Sequence, residues 1–127
     1  MQFAYTILYV DNVARSLAFY RDAFGLAVRF AHPAGDYGEL DTGGTTLALS
    51  SRQLMAQLGK NPQRPRADAP CSEIAFSTDD VPAAIERALA AGAQAVQAAE
   101  QMPWGQTVGY VADPDGFLVE ICTPMGG

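Results

Sequence analysis

Tyr5-Thr6-Ile7-Leu8-Tyr9-Val10-Asp11-Asn12-Val13 lies over Glu73-Ile74-Ala75-Phe76-Ser77-Thr78-Asp79-Asp80-Val81 at a constant offset of 68 residues. Each copy is a short strand-like run that ends in a helix-capping residue, because the side-chain oxygens of Asn12 and Asp80 can accept from the free amides of a first helical turn. A helix is expected after each. Val13, Leu17, Tyr20 and Phe24 recur at helical spacing, and Gly25 stands where a left-handed residue would close the helix. Val81, Ile85, Ala88 and Leu89 repeat the stripe, with Pro82 in the first turn and Gly92 at the stop. Three strand-like pieces follow each helix, over 27–31, 38–41 and 45–50 in the first half and over 94–98, 107–111 and 117–122 in the second. Pro33-Ala34-Gly35-Asp36, Asp41-Thr42-Gly43-Gly44 and Asp113-Pro114-Asp115-Gly116 supply turn chemistry between them. The chain therefore predicts an α+β fold of two βαβββ modules, over about 1–51 and 70–124, forming a mixed curved sheet in a single domain. Between them Ser51 could cap a short helix through Gln57, and 60–70, with three prolines, reads as an exposed linker.

A chain of 127 residues can bury roughly two-thirds of its unfolded surface, so neither disulfide nor metal is needed for stability. With 49% hydrophobic residues it has the balance of a globular protein, and its apolar runs fall short of the ~20 residues of a membrane span. Met1 to Val10 lacks the basic start of a secretory signal, which predicts a cytoplasmic setting and reduced thiols at Cys71 and Cys122. Eight basic residues against fourteen acidic give a net charge of −6, which repels phosphate backbones and excludes nucleic acid as the expected partner. A cationic or neutral small molecule suits this balance better.

Three stretches carry a family resemblance over nearly the whole chain: Leu8-Tyr9-Val10-Asp11-Asn12-Val13-Ala14-Arg15-Ser16-Leu17-Ala18-Phe19-Tyr20, the restart from Ile74 to Val81, and Pro103-Trp104-Gly105-Gln106 followed by Asp113-Pro114-Asp115-Gly116-Phe117-Leu118-Val119-Glu120. Together they resemble the vicinal oxygen chelate (glyoxalase/bleomycin-resistance/dioxygenase) superfamily, and the last pair of motifs leans toward its bleomycin-resistance-like branch. The resemblance implies a homodimer whose sheets close around equivalent cavities. It also implies a place where the family's enzymes hold a divalent metal with four side chains, matched here by Tyr5, Ala48, Glu73 and Glu120. Tyr5 would have to lose a proton with a reference pKa of about 10, and Ala48 has no donor atom. No cofactor is therefore expected; the alternative is a divalent metal at Glu73 and Glu120, with most of its shell left to water or completed by His32.

Alternate residues of a strand share a face. Ile74 and Phe76 should pack under the second helix, which turns Glu73, Ala75 and Ser77 the other way; Phe117, Val119 and Ile121 likewise leave Leu118, Glu120 and Cys122 on that side. The repeat then places Tyr5, Ile7 and Tyr9, with Thr46, Ala48 and Ser50, on the cavity face of the first half, which reads as aromatic and small where the second reads as acidic. Two neighbouring carboxylates repel unless a cation lies between them, so Glu73 and Glu120 suggest a positive ligand; the alternative is a hydrated rim satisfied by tyrosine hydroxyls or water. Trp104 is either packing or an aromatic plate at the pocket mouth, and Tyr37 and Tyr110 are either ligand platforms or half-buried sheet residues. His32 is a surface residue or a cavity residue, and Cys122, with no histidine near it in sequence, reads as structural. The candidate ligand-binding set is Tyr5, Tyr9, Tyr37, Ala48, Glu73, Trp104 and Glu120. Three functions remain open: a metal-independent binder of an aromatic or cationic compound, an enzyme of the glyoxalase or dioxygenase type with Glu73 and Glu120 as ligands or bases, and a non-catalytic dimer with a residual cavity.

Overall fold

The computed structural model describes residues 1–125, and the chain divides into two compact units between Arg64 and Pro65. The first contains β1 (Tyr5–Val10), α1 (Val13–Phe24), β2 (Ala27–Ala31), β3 (Tyr37–Asp41), β4 (Thr46–Ser51) and the short α2 (Arg52–Gln57). The second contains β5 (Ile74–Ser77), α3 (Val81–Ala90), β6 (Gln94–Gln101), β7 (Thr107–Ala112) and β8 (Leu118–Cys122). The sequence-predicted mixed sheet is resolved into two four-stranded sheets, ordered β1-β4-β3-β2 and β5-β8-β7-β6. In each, the first and last strands pair in parallel and the remaining pairs are antiparallel.

The capping residues act as their sequence positions require. Asn12 accepts from the Arg15 amide at 3.0 Å, Asp80 from the Ala83 amide at 3.1 Å, and Ser51 from the Leu54 amide at 3.0 Å. Gly25 closes α1 with φ of 72°, a conformation that would strain a residue bearing a Cβ. The second stop differs from expectation: Ala91 is the C-cap of α3, and Gly92 follows it with φ of 117°. Leu89, assigned to the apolar stripe by spacing, is 38% exposed, because Val81, Ile85 and Ala88 already fill the helix's buried face.

Each helix packs on one face of its own sheet. Val13, Leu17 and Tyr20 of α1 are buried together with Leu8, Val10, Leu40, Leu47 and Leu49, and Val81, Ile85 and Ala88 of α3 with Val111, Val119 and Ile121. A glycine permits the close approach at corresponding places in the two units. A Cβ on Gly38 of β3 would lie 2.7 Å from Leu17 Cδ1, and one on Gly109 of β7 would lie 2.5 Å from Ile85 Cδ1. The Asp113 turn that leads into β8 is held from within, since Asp113 Oδ1 accepts from the amides of Asp115, Gly116 and Phe117, each at 2.9 Å. No helix among the described residues is long and apolar enough to cross a membrane.

Candidate functional site

In the second unit, the register of β5, β8 and β7 sets Ala75 beside Glu120 and Glu120 beside Tyr110, on the face turned away from α3. Tyr110 donates to Glu120 Oε1 at 2.9 Å. Burial, and then this hydrogen bond and the Glu120 charge with Glu73 behind it, push the Tyr110 phenol up to about 12, so it remains a protonated donor at neutral pH. Glu73 stands just before β5 and is exposed. Cys122 continues the same face, where burial, and then the neighbouring Glu120, raise its thiol pKa; its Sγ lies 3.7 Å from the Phe76 carbonyl oxygen, to which it donates. That thiol is poorly suited to nucleophilic attack.

The first unit presents a corresponding face. Ile7, Ala48, Glu39 and Phe30 form one row across β1, β4, β3 and β2; Tyr9, Ser50 and Tyr37 form the next, and Tyr5 lies beside Thr46. A register shift between Val28 and Phe30 places Arg29 over this face, with its Nε 3.5 Å from Glu39 Oε1 and its Nη2 hydrogen-bonded to the Thr46 hydroxyl. Tyr37 donates to Glu39 Oε2 at 2.7 Å, and burial together with that carboxylate raises its pKa well above the usual phenol range. The expectation of an aromatic, small-residue first half is thereby corrected, since this face also carries an anion and a cation. Both were missed because Glu39 and Arg29 sit on β3 and β2, whose faces had not been assigned, and because the bulge breaks the simple alternation. Ala48 is fully buried, Tyr5 is 49% exposed, and Tyr9 accepts from Lys60 Nζ at 3.2 Å with the ammonium 5.5 Å from its ring centre.

His32 belongs to the turn after β2, where its Nδ1 accepts from the Ala34 amide at 3.1 Å and lies 3.6 Å from Asp36. Trp104 is 63% exposed, on the turn between β6 and β7. Of the positions matched to the family's metal ligands, Ala48 offers no donor atom and Glu120 accepts from Tyr110 through Oε1 alone, and among the described residues three or more His, Cys, Asp or Glu side chains do not gather in one place. What both faces share is a half-buried tyrosine tied to a carboxylate. Such a pair can bind a cation or a hydrogen-bond donor while keeping the carboxylate oriented.

Comparison with known proteins agrees with this architecture. The family model described as Glyoxalase/Bleomycin resistance protein/Dioxygenase superfamily matches residues 2–121, and the chain belongs to that superfamily. The match is to the superfamily as a whole and singles out no branch of it. A lactoylglutathione lyase of Neisseria meningitidis is 30% identical over all of this chain and 94% of its own length. The crystal structure of a glyoxalase-related enzyme from Fulvimarina pelagi superposes with a TM-score of 0.85 at 29% identity, over 98% of this chain and 88% of that one. A family enzyme from Burkholderia phytofirmans shares the fold, with a TM-score of 0.79 at 20% identity over 97% of this chain and 98% of its own.

Proposed function

We propose that this protein is a small-molecule binder that takes up an aromatic or cationic compound without a bound metal, and that it acts as a homodimer of the bleomycin-resistance-like type. The observation that carries the reading is the identity of the four matched positions, Tyr5, Ala48, Glu73 and Glu120, with Glu120 held by Tyr110 at 2.9 Å. Glu73 and Glu120 make the sheet face of the second unit acidic, with Tyr110 fixing the Glu120 carboxylate, while Tyr5, Tyr9 and Tyr37 offer ring surface on the sheet face of the first. Trp104 adds a further aromatic plate. The test is a panel of aromatic amines and quaternary ammonium compounds offered to chelator-treated protein. A ligand present at about 100 times its Kd adds about 2.7 kcal/mol to the stability of the folded state, which a thermal melt detects. If no member of the panel raises the melting temperature or alters tryptophan emission, the reading is abandoned.

A metal-dependent lyase is the second reading, favoured by the 30% identity to a protein named lactoylglutathione lyase. Ala48 weighs against it, because no rearrangement of a methyl group supplies a ligand atom. Turnover of the glutathione adduct of an α-ketoaldehyde by metal-loaded protein, lost in the Glu73→Gln, Glu120→Gln double variant, would favour this reading over the first.

A further inference from the structure

A recess of about 430 Å³ opens in the second unit, with Asp79, Trp104, Gln106, Thr123, Pro124 and Met125 among its walls. Its size lies within the range of small-molecule sites. Trp104 forms one wall and is held in place despite its exposure. Its indole Nε1 donates to Gln106 Oε1 at 2.7 Å, and Gln106 Nε2 donates in turn to the Thr123 carbonyl at 2.7 Å. The turn that carries it is closed by the Met102 amide on the Gln106 carbonyl at 2.7 Å and the Gly105 amide on the Met102 carbonyl at 2.9 Å. The polar edge of the ring is thus committed to the protein, and the π face is what remains for recognition. An aromatic plate fixed in this way loses little freedom when a ligand arrives.

Asp79 stands on the connection from β5 to α3 and supplies the charge of the recess. Capping of α3 falls to its neighbour Asp80, whose Oδ1 accepts from the Ala83 amide at 3.1 Å, so Asp79 has no part in holding the helix end. Among the described residues Asp79 enters no ion pair. A fixed indole face beside a carboxylate without a counter-ion, with the thioether of Met125 and the ring of Pro124 completing the wall, is chemistry that selects a compact organic cation. The net charge of −6 adds a field that attracts cations and repels anions.

We propose that this recess receives the positively charged end of an organic ligand, a quaternary ammonium or protonated amine, with Trp104 as its plate and Asp79 as its counter-charge. The inference rests on the reading of the chain as a small-molecule binder and assigns the ligand's cationic end to a place on it. The chain holds one tryptophan, so intrinsic tryptophan emission reports on this recess directly. The experiment titrates the protein with benzyltrimethylammonium, following Trp104 emission and, in parallel, calorimetric heat. Expected are a saturable change in emission, a Kd weakened at least about fivefold in Asp79→Asn, little binding of the uncharged isostere neopentylbenzene, and an unchanged Kd in Glu86→Gln, the same charge change placed on α3. Thermal melts of each variant show that it folds. Calorimetric binding that leaves Trp104 emission unchanged and is weakened by Glu120→Gln but not by Asp79→Asn would overturn the assignment while the binding function stands. Absence of both heat and emission change would overturn the assignment outright, whereas a response of the aromatic panel in the thermal melt would still support the broader reading.

Discussion

Replacing Gly109 by alanine tests the helix-on-sheet packing that sets the geometry of the second unit. The added methyl would lie 2.5 Å from Ile85 Cδ1, 3.2 Å from the Gln97 carbonyl oxygen and 3.4 Å from the Ala99 amide nitrogen. The Ile85 methyl can move only at the expense of a buried face, and the two backbone atoms belong to the neighbouring strand. Overpacking of this kind costs about 1–3 kcal/mol, and the reduced freedom of the unfolded chain returns about 0.4–1 kcal/mol. The net loss is therefore centred on about 1.3 kcal/mol, or roughly 5 °C in melting temperature for a chain of this size. Ile85→Val removes the clashing Cδ1 and on its own should cost about 0.5–1.5 kcal/mol. In the double variant the two changes should be less than additive by about 1 kcal/mol, measured by urea denaturation of all four proteins. A Gly109→Ala protein as stable as the parent, or strictly additive changes, would refute this account of the packing.

The raised phenol of Tyr110 should titrate near 12 in ultraviolet difference spectra and move back toward 10 in Glu120→Gln. Because the folded-state pKa lies above the unfolded value, the stability this group contributes is complete below about pH 10 and is lost as pH rises through about 12, which alkaline melts can follow. Tyr37→Phe should cost about 1 kcal/mol by removing the hydrogen bond to Glu39, with the Arg29 ion pair remaining. With a thiol reagent at neutral pH, exposed Cys71 should react at once and Cys122 only as the protein unfolds; two fast thiols would contradict the burial of Cys122. Asp11→Asn should lower stability by about 1–2 kcal/mol in chemical denaturation, since Arg52 is 8% exposed and pairs with that carboxylate, as does Arg64 at 2.7 Å.

The features legible in the sequence were those with local causes. The offset repeat, the caps at Asn12, Ser51 and Asp80, the left-handed Gly25 and the alternation that separates Val119 and Ile121 from Glu120 all follow from residue types at fixed spacings. Features that depend on pairing between strands were hidden. Glu39 became visible only through its register opposite Ala48, and Arg29 only through the bulge that re-aims it. Gly38 and Gly109 look like ordinary strand glycines until Leu17 and Ile85 are seen above them. Nothing in the sequence sets Asp79 apart from Asp80, and only the structure separates the two, with Asp80 capping α3 and Asp79 lining the recess beside Trp104 and Met125. The partnership of Tyr110 with Glu120 has the same origin, since ten residues separate them in sequence and one strand pairing joins them.

Elemental analysis of the tag-free protein tests most directly whether ligand recognition proceeds without a metal. The protein would be measured before and after loading with nickel, zinc, manganese and iron, beside the Glu73→Gln, Glu120→Gln double variant. Metal well below one equivalent per chain is expected in both proteins, with ligand binding by the parent unchanged after chelation. Near-stoichiometric metal that the double variant loses would contradict it and place the protein with the metal-dependent enzymes of its superfamily.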